Sequence, residues 1–372
     1  MTATSDTGAP MRRSSRDPET VRVAIESWLT TKLGVAARPR VSNVRGTEAN
    51  GMSSDTVLFD ATWQEVDGST RDEALVARVA PDLGDVPVFP SYDMQSQFDV
   101  LRLAGELSGA PVPDTLWCEP DPGALGAPFF VMRRVEGEIP PDVLPYPFGG
   151  NWLYDAPAAD QRLLQDETVE AIAALHAIDR PAERFGFLEH GEPGDTRLRR
   201  HVAHTRAWYD MVARDGGRSP LVERGFAWLD THWPAYESEP VLSWGDSRIG
   251  NVIYRDFRPV ALLDWEMAGL GPRELDVAWL VVAHEVFQEL ATSLGLDGMP
   301  EFLRADDVCA RYESVTGHAP RDLDFYRRYA ALQWGIVFLR TGQRQAHFGE
   351  RELPGDPQEL IYNRAQLDRL FD

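Results

Sequence analysis

Three polar residues in the second half of the chain have the types and the spacing of a small metal site. Asp246 and Asn251 lie five positions apart, and Asp264 follows after a β-like run, a turn and a second β-like run. A hairpin of these runs would bring Asp264 back beside Asn251. Carboxylate and amide oxygens are hard ligands that suit Mg²⁺, which keeps several waters and binds phosphate oxygens. The spacing therefore predicts a magnesium site that can hold phosphate groups.

The same spacing occurs in enzymes that transfer phosphoryl groups. In a kinase catalytic loop, an aspartate that orients the acceptor hydroxyl precedes a metal-binding asparagine, and a second metal-binding aspartate follows a hairpin. Such a protein mainly positions its reactants and neutralises phosphate charge. We therefore predict Mg²⁺-dependent transfer of the γ-phosphoryl group of ATP, as co-substrate, to a hydroxyl of a small molecule.

The elements around these residues predict two structural regions. Up to about residue 135, a helix, β-rich runs joined by a turn at Asp67-Gly68, and a second helix indicate a lobe built on an antiparallel sheet. From about residue 157 the pattern is mainly helical. The segments concerned are helices at 19–33 and 92–107, strands at 57–63, 74–79 and 128–132, and helices at 161–178, 196–215, 220–236, 274–294, 305–315 and 322–341.

The predicted fold class is therefore α+β, with two lobes of different composition. We predict a flexible tail over residues 1–18, an N-terminal lobe over 19–135 and a mainly helical C-terminal lobe over 136–372. The C-terminal lobe would carry the catalytic loop with Asp246, together with an acceptor pocket.

Composition and charge argue against several classes of protein. Asp and Glu outnumber Lys and Arg by 59 to 37, for a net charge of −22. We therefore expect no nucleic acid polymer and no anionic membrane as partner. The two cysteines, Cys118 and Cys309, have no CxxC partner and are expected to be buried, reduced thiols of a cytoplasmic protein. A monomer or homodimer is expected, and the acidic surface either attracts a cationic acceptor or simply keeps the protein soluble.

Longer segments resemble the aminoglycoside phosphotransferase family, the small-molecule relatives of protein kinases. The resemblance covers about residues 41–340, and it is strongest to a branch that includes the kinase-like domains of certain acyl-CoA dehydrogenases. It implies a bilobal, protein-kinase-like fold with a nucleotide-binding N-terminal lobe. The similar segments are 242–254, 261–266 and 267–279 around the site, 51–56 at the phosphate-covering loop, 111–113 and 125–132 before the nucleotide hinge, and 173–178 in the Leu-His helix.

The resemblance also implies roles for individual residues. Asp246 would be the catalytic base, and Asn251 and Asp264 would bind Mg²⁺. Asp276 would be a structural acid that supports the catalytic loop. His176, on an apolar helix face, is expected to be a core histidine. The implied nucleotide contacts are Ser53 and Ser54 at the phosphates, Arg78 at the α/β phosphates, and the backbone from Arg133 to Val135 at adenine.

Three positions depart from the family pattern. Trp244 replaces a histidine, Arg78 replaces a lysine, and Gln97 replaces the glutamate that would pair with that lysine. Arginine can bind phosphates bidentately but is not equivalent to lysine. Lys32, the only lysine, lies too early in the chain to substitute. These departures leave open a non-catalytic protein that binds a nucleotide or metabolite.

The acceptor is not fixed by the resemblance, because one fold serves many functions. The family name suggests an aminoglycoside. A sugar, an amino alcohol, a hydroxy acid or a hydroxyacyl thioester is an alternative acceptor for the same chemistry.

Overall fold

The structure, a computed structural model, describes residues 17–46, 54–82 and 84–372. These residues form two compact units. The first unit contains the described residues of Met1–Asp82 together with Leu116–Arg134, and the second contains those of Leu83–Thr115 together with Val135–Asp372.

The first unit is built on a five-stranded sheet and one long helix. The strand order is β1-β2-β3-β5-β4, and the β1–β2, β2–β3 and β3–β5 pairs are antiparallel. The helix α1 covers Pro18–Leu33, and the strands are β1 Arg40–Gly46, β2 Asp55–Gln64, β3 Thr70–Val79, β4 Thr115–Glu119 and β5 Phe129–Arg133.

Alternation along β2 builds the core of this unit. Every second residue from Val57 to Trp63 is buried, as expected for a strand with one face on a core. These side chains share a cluster with the buried face of α1, which carries Ile25 and Leu29. The helix and the β2–β3 hairpin predicted from periodicity are thus confirmed.

The second unit is mainly helical and contains two short strand pairs. β6 pairs with β9, and β7 pairs with β8, both antiparallel. The helices are α2 Met94–Leu107, α3 Ala158–His176, α4 Pro181–Arg184, α5 Arg197–Gly216, α6 Pro220–Thr231, α7 Glu274–Ser293, α8 Ala305–Thr316, α9 Leu323–His347 and α10 Arg364–Phe371; the strands are β6 Pro240–Ser243, β7 Val252–Arg255, β8 Arg258–Leu262 and β9 Gly269–Pro272.

Residues 84–115, which the sequence analysis placed in the first lobe, lie in the second unit. Their backbone carbonyls accept hydrogen bonds from distant parts of that unit. Arg340 Nε donates to Pro87 O at 2.6 Å, and Trp208 Nε1 donates to Val88 O at 2.8 Å. These tertiary contacts decide where the segment belongs, and no local sequence pattern encodes them.

The structure bears on two features read from composition, membrane-spanning segments and the burial of the cysteines. Among the helices that the structure describes, none combines the length and the apolar character needed to cross a membrane. Cys118 and Cys309 are thiols, but both are half-buried rather than buried. Cys118 lies on the edge strand β4, where every residue is half-buried, and Cys309 lies on α8, of which Val308 and Tyr312 are the buried residues.

The buried carboxylate of Asp276 fixes the loop that follows β6. Its Oδ1 accepts from Ser243 Oγ at 3.0 Å and from the Gly245 amide at 2.9 Å. Its Oδ2 accepts from the Trp244 amide at 2.8 Å. The side chain of Asp276 is fully buried in the first turn of α7. The supporting role expected for this residue therefore matches its contacts.

His176 makes the fourth hydrogen bond to this carboxylate. Its Nε2 lies 2.9 Å from Asp276 Oδ2, and its Nδ1 lies 2.7 Å from the Tyr312 hydroxyl. A neutral ring that donates from Nε2 and accepts at Nδ1 satisfies both partners. His176 is thus a core histidine, as predicted, and it connects α3, α7 and α8.

Gly245 is required by the same loop. Its φ is +89°, and a Cβ built on it would lie 2.1 Å from the carbonyl oxygen of Met267. Only glycine adopts this backbone conformation without strain and allows so close an approach. The loop before Asp246 is therefore fixed by sterics as well as by Asp276.

We expect Asp276→Asn to destabilise the protein by about 3–5 kcal/mol, since an amide offers one acceptor oxygen and turns N–H groups toward buried donors. Urea unfolding measures the change. Asp230→Asn, at an exposed position, is the matched control and should change the free energy of unfolding by no more than about 0.5 kcal/mol. A loss at Asp276 no greater than that of the control would contradict the role of this carboxylate.

Candidate active site

A short 3₁₀ turn, Ile249–Asn251, places the Asn251 side chain against Asp246. Asn251 Nδ2 donates to the Asp246 carboxylate at 2.7 Å and to the Asp246 backbone carbonyl at 3.1 Å. Because the amide nitrogen faces Asp246, its oxygen points elsewhere and can act as a ligand. The structure thus brings together the first two of the predicted site residues.

Asp264 returns to the same place through the β7–β8 hairpin, as the spacing predicted. Val252 pairs with Leu262, and the Leu263 amide donates to Asn251 O at 2.8 Å. Asp264 itself has a φ of +58°, a left-handed conformation that aspartate tolerates better than most residues. The hairpin therefore ends with the carboxylate residue Asp264, directly after Leu263, whose amide donates to Asn251.

Trp244, which replaces the usual histidine, connects the two halves of the site. It is fully buried, and its indole Nε1 donates to Leu263 O at 2.9 Å. This bond joins the residue before Gly245 to the residue before Asp264. Its complete burial makes this tryptophan a packing residue.

Arg248 is a site residue that sequence reasoning did not identify. Its Nε donates to both carboxylate oxygens of Asp246, at 3.1 and 3.2 Å, and its Nη1 donates to Asp142 at 2.5 Å. Burial works against the charge, but Asp142, Asp246 and Asp264 outweigh burial and raise the pKa of this guanidinium above its ordinary range. Arg248 therefore carries a fixed positive charge among three acids.

The sequence signals for Arg248 and Asp142 differ in strength. Arg248 stands two positions after Asp246, so a charged residue within the loop could have been noticed. Asp142 lies more than a hundred residues earlier, in a Pro- and Gly-containing connection, and nothing in its surroundings points to the site.

Trp279 is a second unpredicted neighbour of Asp246. Its indole Nε1 donates to Asp246 Oδ1 at 2.7 Å, and the ring stacks on Trp334 with centroids 5.7 Å apart. It stands three positions after Asp276 and therefore on the same side of α7. Asp246 thus accepts from three different side chains, which hold its carboxylate in one orientation.

The donor set of this site fits Mg²⁺. The amide oxygen of Asn251 and the carboxylate of Asp264 are hard oxygen ligands, the type that Mg²⁺ prefers over softer ligands, and the Asp246 carboxylate lies beside Asn251. The site also carries net negative charge. The charges of Arg248 and Asp142 neutralise each other, and the carboxylates of Asp246 and Asp264 remain.

Of the predicted phosphate-contact residues, Ser54 and Arg78 lie in the first unit. Ser53 lies outside the described residues. Ser54 is 5% exposed, and its Oγ makes no hydrogen bond to any residue that the structure describes. Arg78 stands opposite Thr56 in the β2–β3 pair and donates from Nη1 to Thr56 Oγ1 at 2.8 Å. The structure thus places Ser54 two residues before the partner of Arg78.

The predicted adenine-contact residues follow β5. Arg133 ends the strand, pairs with Leu75 in register and donates from Nε to Glu73 at 3.1 Å. Val135 comes two positions later and is the first residue of its segment in the second unit. These positions lie at a change from strand to loop, and their contact with a nucleotide stays a prediction.

The remaining departures from the family pattern lie in separate units. Gln97 is buried on α2 in the second unit, and Arg78 is on β3 in the first. Lys32 forms an ion pair with Glu119 at 2.9 Å within the first unit. That contact agrees with the expectation that Lys32 does not replace the usual lysine.

Comparison with known proteins gives a relative that is much longer than this chain. The probable acyl-CoA dehydrogenase IBR3 of Arabidopsis thaliana is 28% identical over 232 residues, which is 57% of this chain. The chain covers 27% of that protein, so it spans about a quarter of the length of this curated relative.

Two solved structures with similar folds are described as phosphotransferases. One from Ralstonia eutropha, described as a putative aminoglycoside phosphotransferase, has a TM-score of 0.62 at 20% identity, covering 94% of this chain and 96% of the other. The ternary complex of APH(2″)-IIa with streptomycin and ATP has a TM-score of 0.55 at 12% identity, covering 94% and 99%. These likenesses confirm the predicted kinase-like α+β fold.

The family itself is shown by a match to sequence rather than to fold. The model of the phosphotransferase enzyme family matches residues 55–305, which is more than half of the chain and includes the whole of the site around Asp246. This chain belongs to the phosphotransferase enzyme family.

Proposed function

We propose that this chain transfers the γ-phosphoryl group of ATP to a hydroxyl of a small molecule in the presence of Mg²⁺. The observation that carries the proposal is the convergence of Asp246, Asn251 and Asp264 on one loop and hairpin, held by Asp276. Membership of the phosphotransferase enzyme family supports the reaction type. The complex of a structural neighbour with ATP supports the choice of nucleotide.

In this proposal Asp246 is the catalytic base. The acceptor hydroxyl donates to its carboxylate and transfers its proton there as the oxygen attacks phosphorus. The new O–P bond forms while the bond from phosphorus to the bridging oxygen of ADP breaks. Trp279 and Asn251 hold one carboxylate oxygen each, so the direction of the proton acceptor is fixed before substrate arrives.

Arg248 prepares the same carboxylate. Its Nε is shared between both oxygens of Asp246, and a small shift toward one oxygen leaves a lone pair of the other for the acceptor hydroxyl. Asp142 anchors the far side of the guanidinium, so that Arg248 orients Asp246 without leaving the site. We therefore assign Arg248 a positioning role.

Asn251 and Asp264 would hold Mg²⁺, which when bound neutralises phosphate charge and stabilises the leaving oxygen. The Asn251 amide is oriented for this task by its two bonds to Asp246. Asp264 is placed by the hairpin and by the Trp244 bond to Leu263. The ligands and the base are thus positioned through shared contacts.

We also propose nucleotide contacts at Ser53, Ser54 and Arg78 and along the backbone from Arg133 to Val135. The buried hydroxyl of Ser54 and the neighbouring Ser53 would donate to phosphate. Arg78, whose Nη1 donates to Thr56 Oγ1, would contact the α/β phosphates, as in the family pattern. The backbone from Arg133 to Val135 would hold adenine, as in the family pattern.

The acceptor that we propose is a hydroxyacyl thioester. The relative from Arabidopsis thaliana is named a probable acyl-CoA dehydrogenase, and it is more similar in sequence than the aminoglycoside enzymes that share the fold. An aminoglycoside is the second candidate, because the net charge of −22 favours a cationic ligand.

We expect Asp246→Asn to lower kcat for phosphoryl transfer by about 10²–10⁴, the usual contribution of a general base. Affinity for ATP should change little, because the base faces the acceptor. A coupled assay of ADP release measures the rate. The simplest reaction to follow is hydrolysis, in which water is the acceptor. Asp256→Asn, in the exposed turn of the same hairpin, is the control and should retain full activity. Equal turnover by Asp246→Asn would remove Asp246 from the base role.

A screen of acceptors tests the proposed substrate class. We expect kcat/KM for at least one hydroxyacyl-CoA to exceed that for every aminoglycoside tested by about tenfold or more, which corresponds to about 1.4 kcal/mol of transition-state binding. Acyl-CoA molecules without the hydroxyl are the control and should give no transfer. A higher kcat/KM for an aminoglycoside would overturn the thioester assignment while leaving the phosphotransferase proposal intact.

A further inference from the structure

Two histidines and a glutamate meet between the α4–α5 connection and α5 in the second unit. The rings of His190 and His204 are stacked, with centroids 4.3 Å apart and planes 16° from parallel. Glu192 Oε1 lies 2.7 Å from His204 Nδ1. One ligand atom from each residue lies within 4.8 Å of the others. The proposed transfer reaction uses none of these side chains.

We propose that His190, Glu192 and His204 bind a divalent transition-metal ion, of which Zn²⁺ is the best match. Two imidazole nitrogens and one carboxylate oxygen are a common ligand set for zinc, with the fourth position taken by water. Imidazole is not a ligand that Mg²⁺ prefers, so this site and the Asp246 site are selective for different ions.

Metal binding needs rotations of the side chains. Zinc bonds of about 2.0–2.2 Å in a tetrahedron separate ligand atoms by about 3.4 Å. Ligand atoms up to 4.8 Å apart would therefore approach by as much as about 1.4 Å, and the hydrogen bond between His204 and Glu192 would be replaced by metal bonds. Because a metal binds in the plane of an imidazole, one of the two stacked rings would also turn about its side-chain bonds. All three residues are half-buried, so the ion would be reachable from solvent.

A third imidazole lies beside the pair. The ring of His201 on α5 is 5.3 Å from that of His190 between centroids. Neutral imidazole is the form that coordinates a metal.

The surroundings hold the two parts of the site together. Glu189, next to His190, forms ion pairs with Arg197 at 2.5 Å and Arg200 at 3.2 Å on α5. Arg200 also donates to Gly194 O at 3.1 Å. The connection is thus anchored to α5 on both sides of Glu192, which pre-organises the ligands.

The site adjoins the strand pair that leads to the catalytic loop. A Cβ built on Gly269, the first residue of β9, would lie 3.6 Å from His190 Nε2. Gly269 pairs with Ser243, whose hydroxyl donates to Asp276. A metal ion here would fix the α4–α5 connection against α5 and beside β9, so we assign it a structural role.

The test is a calorimetric titration of the chelator-treated full chain with Zn²⁺ in excess Mg²⁺. We expect one equivalent to bind, with affinity reduced at least about tenfold in His190→Ala and in His204→Ala. His318→Ala, at an exposed histidine, and Asp264→Ala, in the proposed magnesium site, should bind Zn²⁺ like the wild type. Glu192→Gln, which keeps the size of the side chain, should also weaken binding and serves if an alanine variant fails to fold.

Co²⁺ gives a second readout that does not depend on activity. Visible absorption bands typical of four-coordinate Co²⁺ should appear with the wild type and be lost in the His190→Ala/His204→Ala double variant. No stoichiometric binding of Zn²⁺, unchanged binding in the double variant, or an equal loss in His318→Ala would each overturn the proposal.

Discussion

The carboxylate of Asp276 accepts hydrogen bonds from three consecutive residues of the loop that leads to Asp246. A buried carboxylate is costly unless its lone pairs are filled, and here His176 supplies the fourth donor. Because two of the donors are backbone amides, the path of the loop is fixed whatever the side chains of those two residues. This contact set fixes the loop from which the Asp246 side chain projects, and Arg248, Asn251 and Trp279 then orient its carboxylate.

A second constraint holds the other half of the site. The indole of Trp244 donates to Leu263 O, immediately before Asp264. Trp244, which replaces the usual histidine, thus still provides an N–H donor at this position. Among the unusual residues, Trp244 has a structural explanation, whereas the substitution of lysine by Arg78 is explained by nothing in the described contacts of the first unit. The proposal of catalysis rests on Asp246, Asn251 and Asp264, whereas Arg78 bears on the proposed nucleotide contacts.

Local patterns predicted the parts of the site that are close in sequence. The return of Asp264 to Asn251 follows from a hairpin, whose turn and β-rich runs are visible in the sequence. The ion pair of Arg248 with Asp142 could not be predicted, because the two residues meet only after the helical unit has packed. The assignment of residues 84–115 depends in the same way on bonds to Arg340 and Trp208. The helices were predictable from periodicity, whereas strands as short and glycine-rich as β9 were not.

Calorimetric titration with ATP, in the presence and absence of Mg²⁺, tests the central claim most directly. The account predicts Mg²⁺-dependent binding by the wild type that Asp264→Ala weakens by about tenfold or more, since a hard oxygen ligand of the metal is lost. An ATP affinity that changes neither with Mg²⁺ nor in Asp264→Ala would contradict it, as would no binding of ATP by the folded protein. In that case the same residues would belong to a protein that binds a metabolite without transferring phosphate.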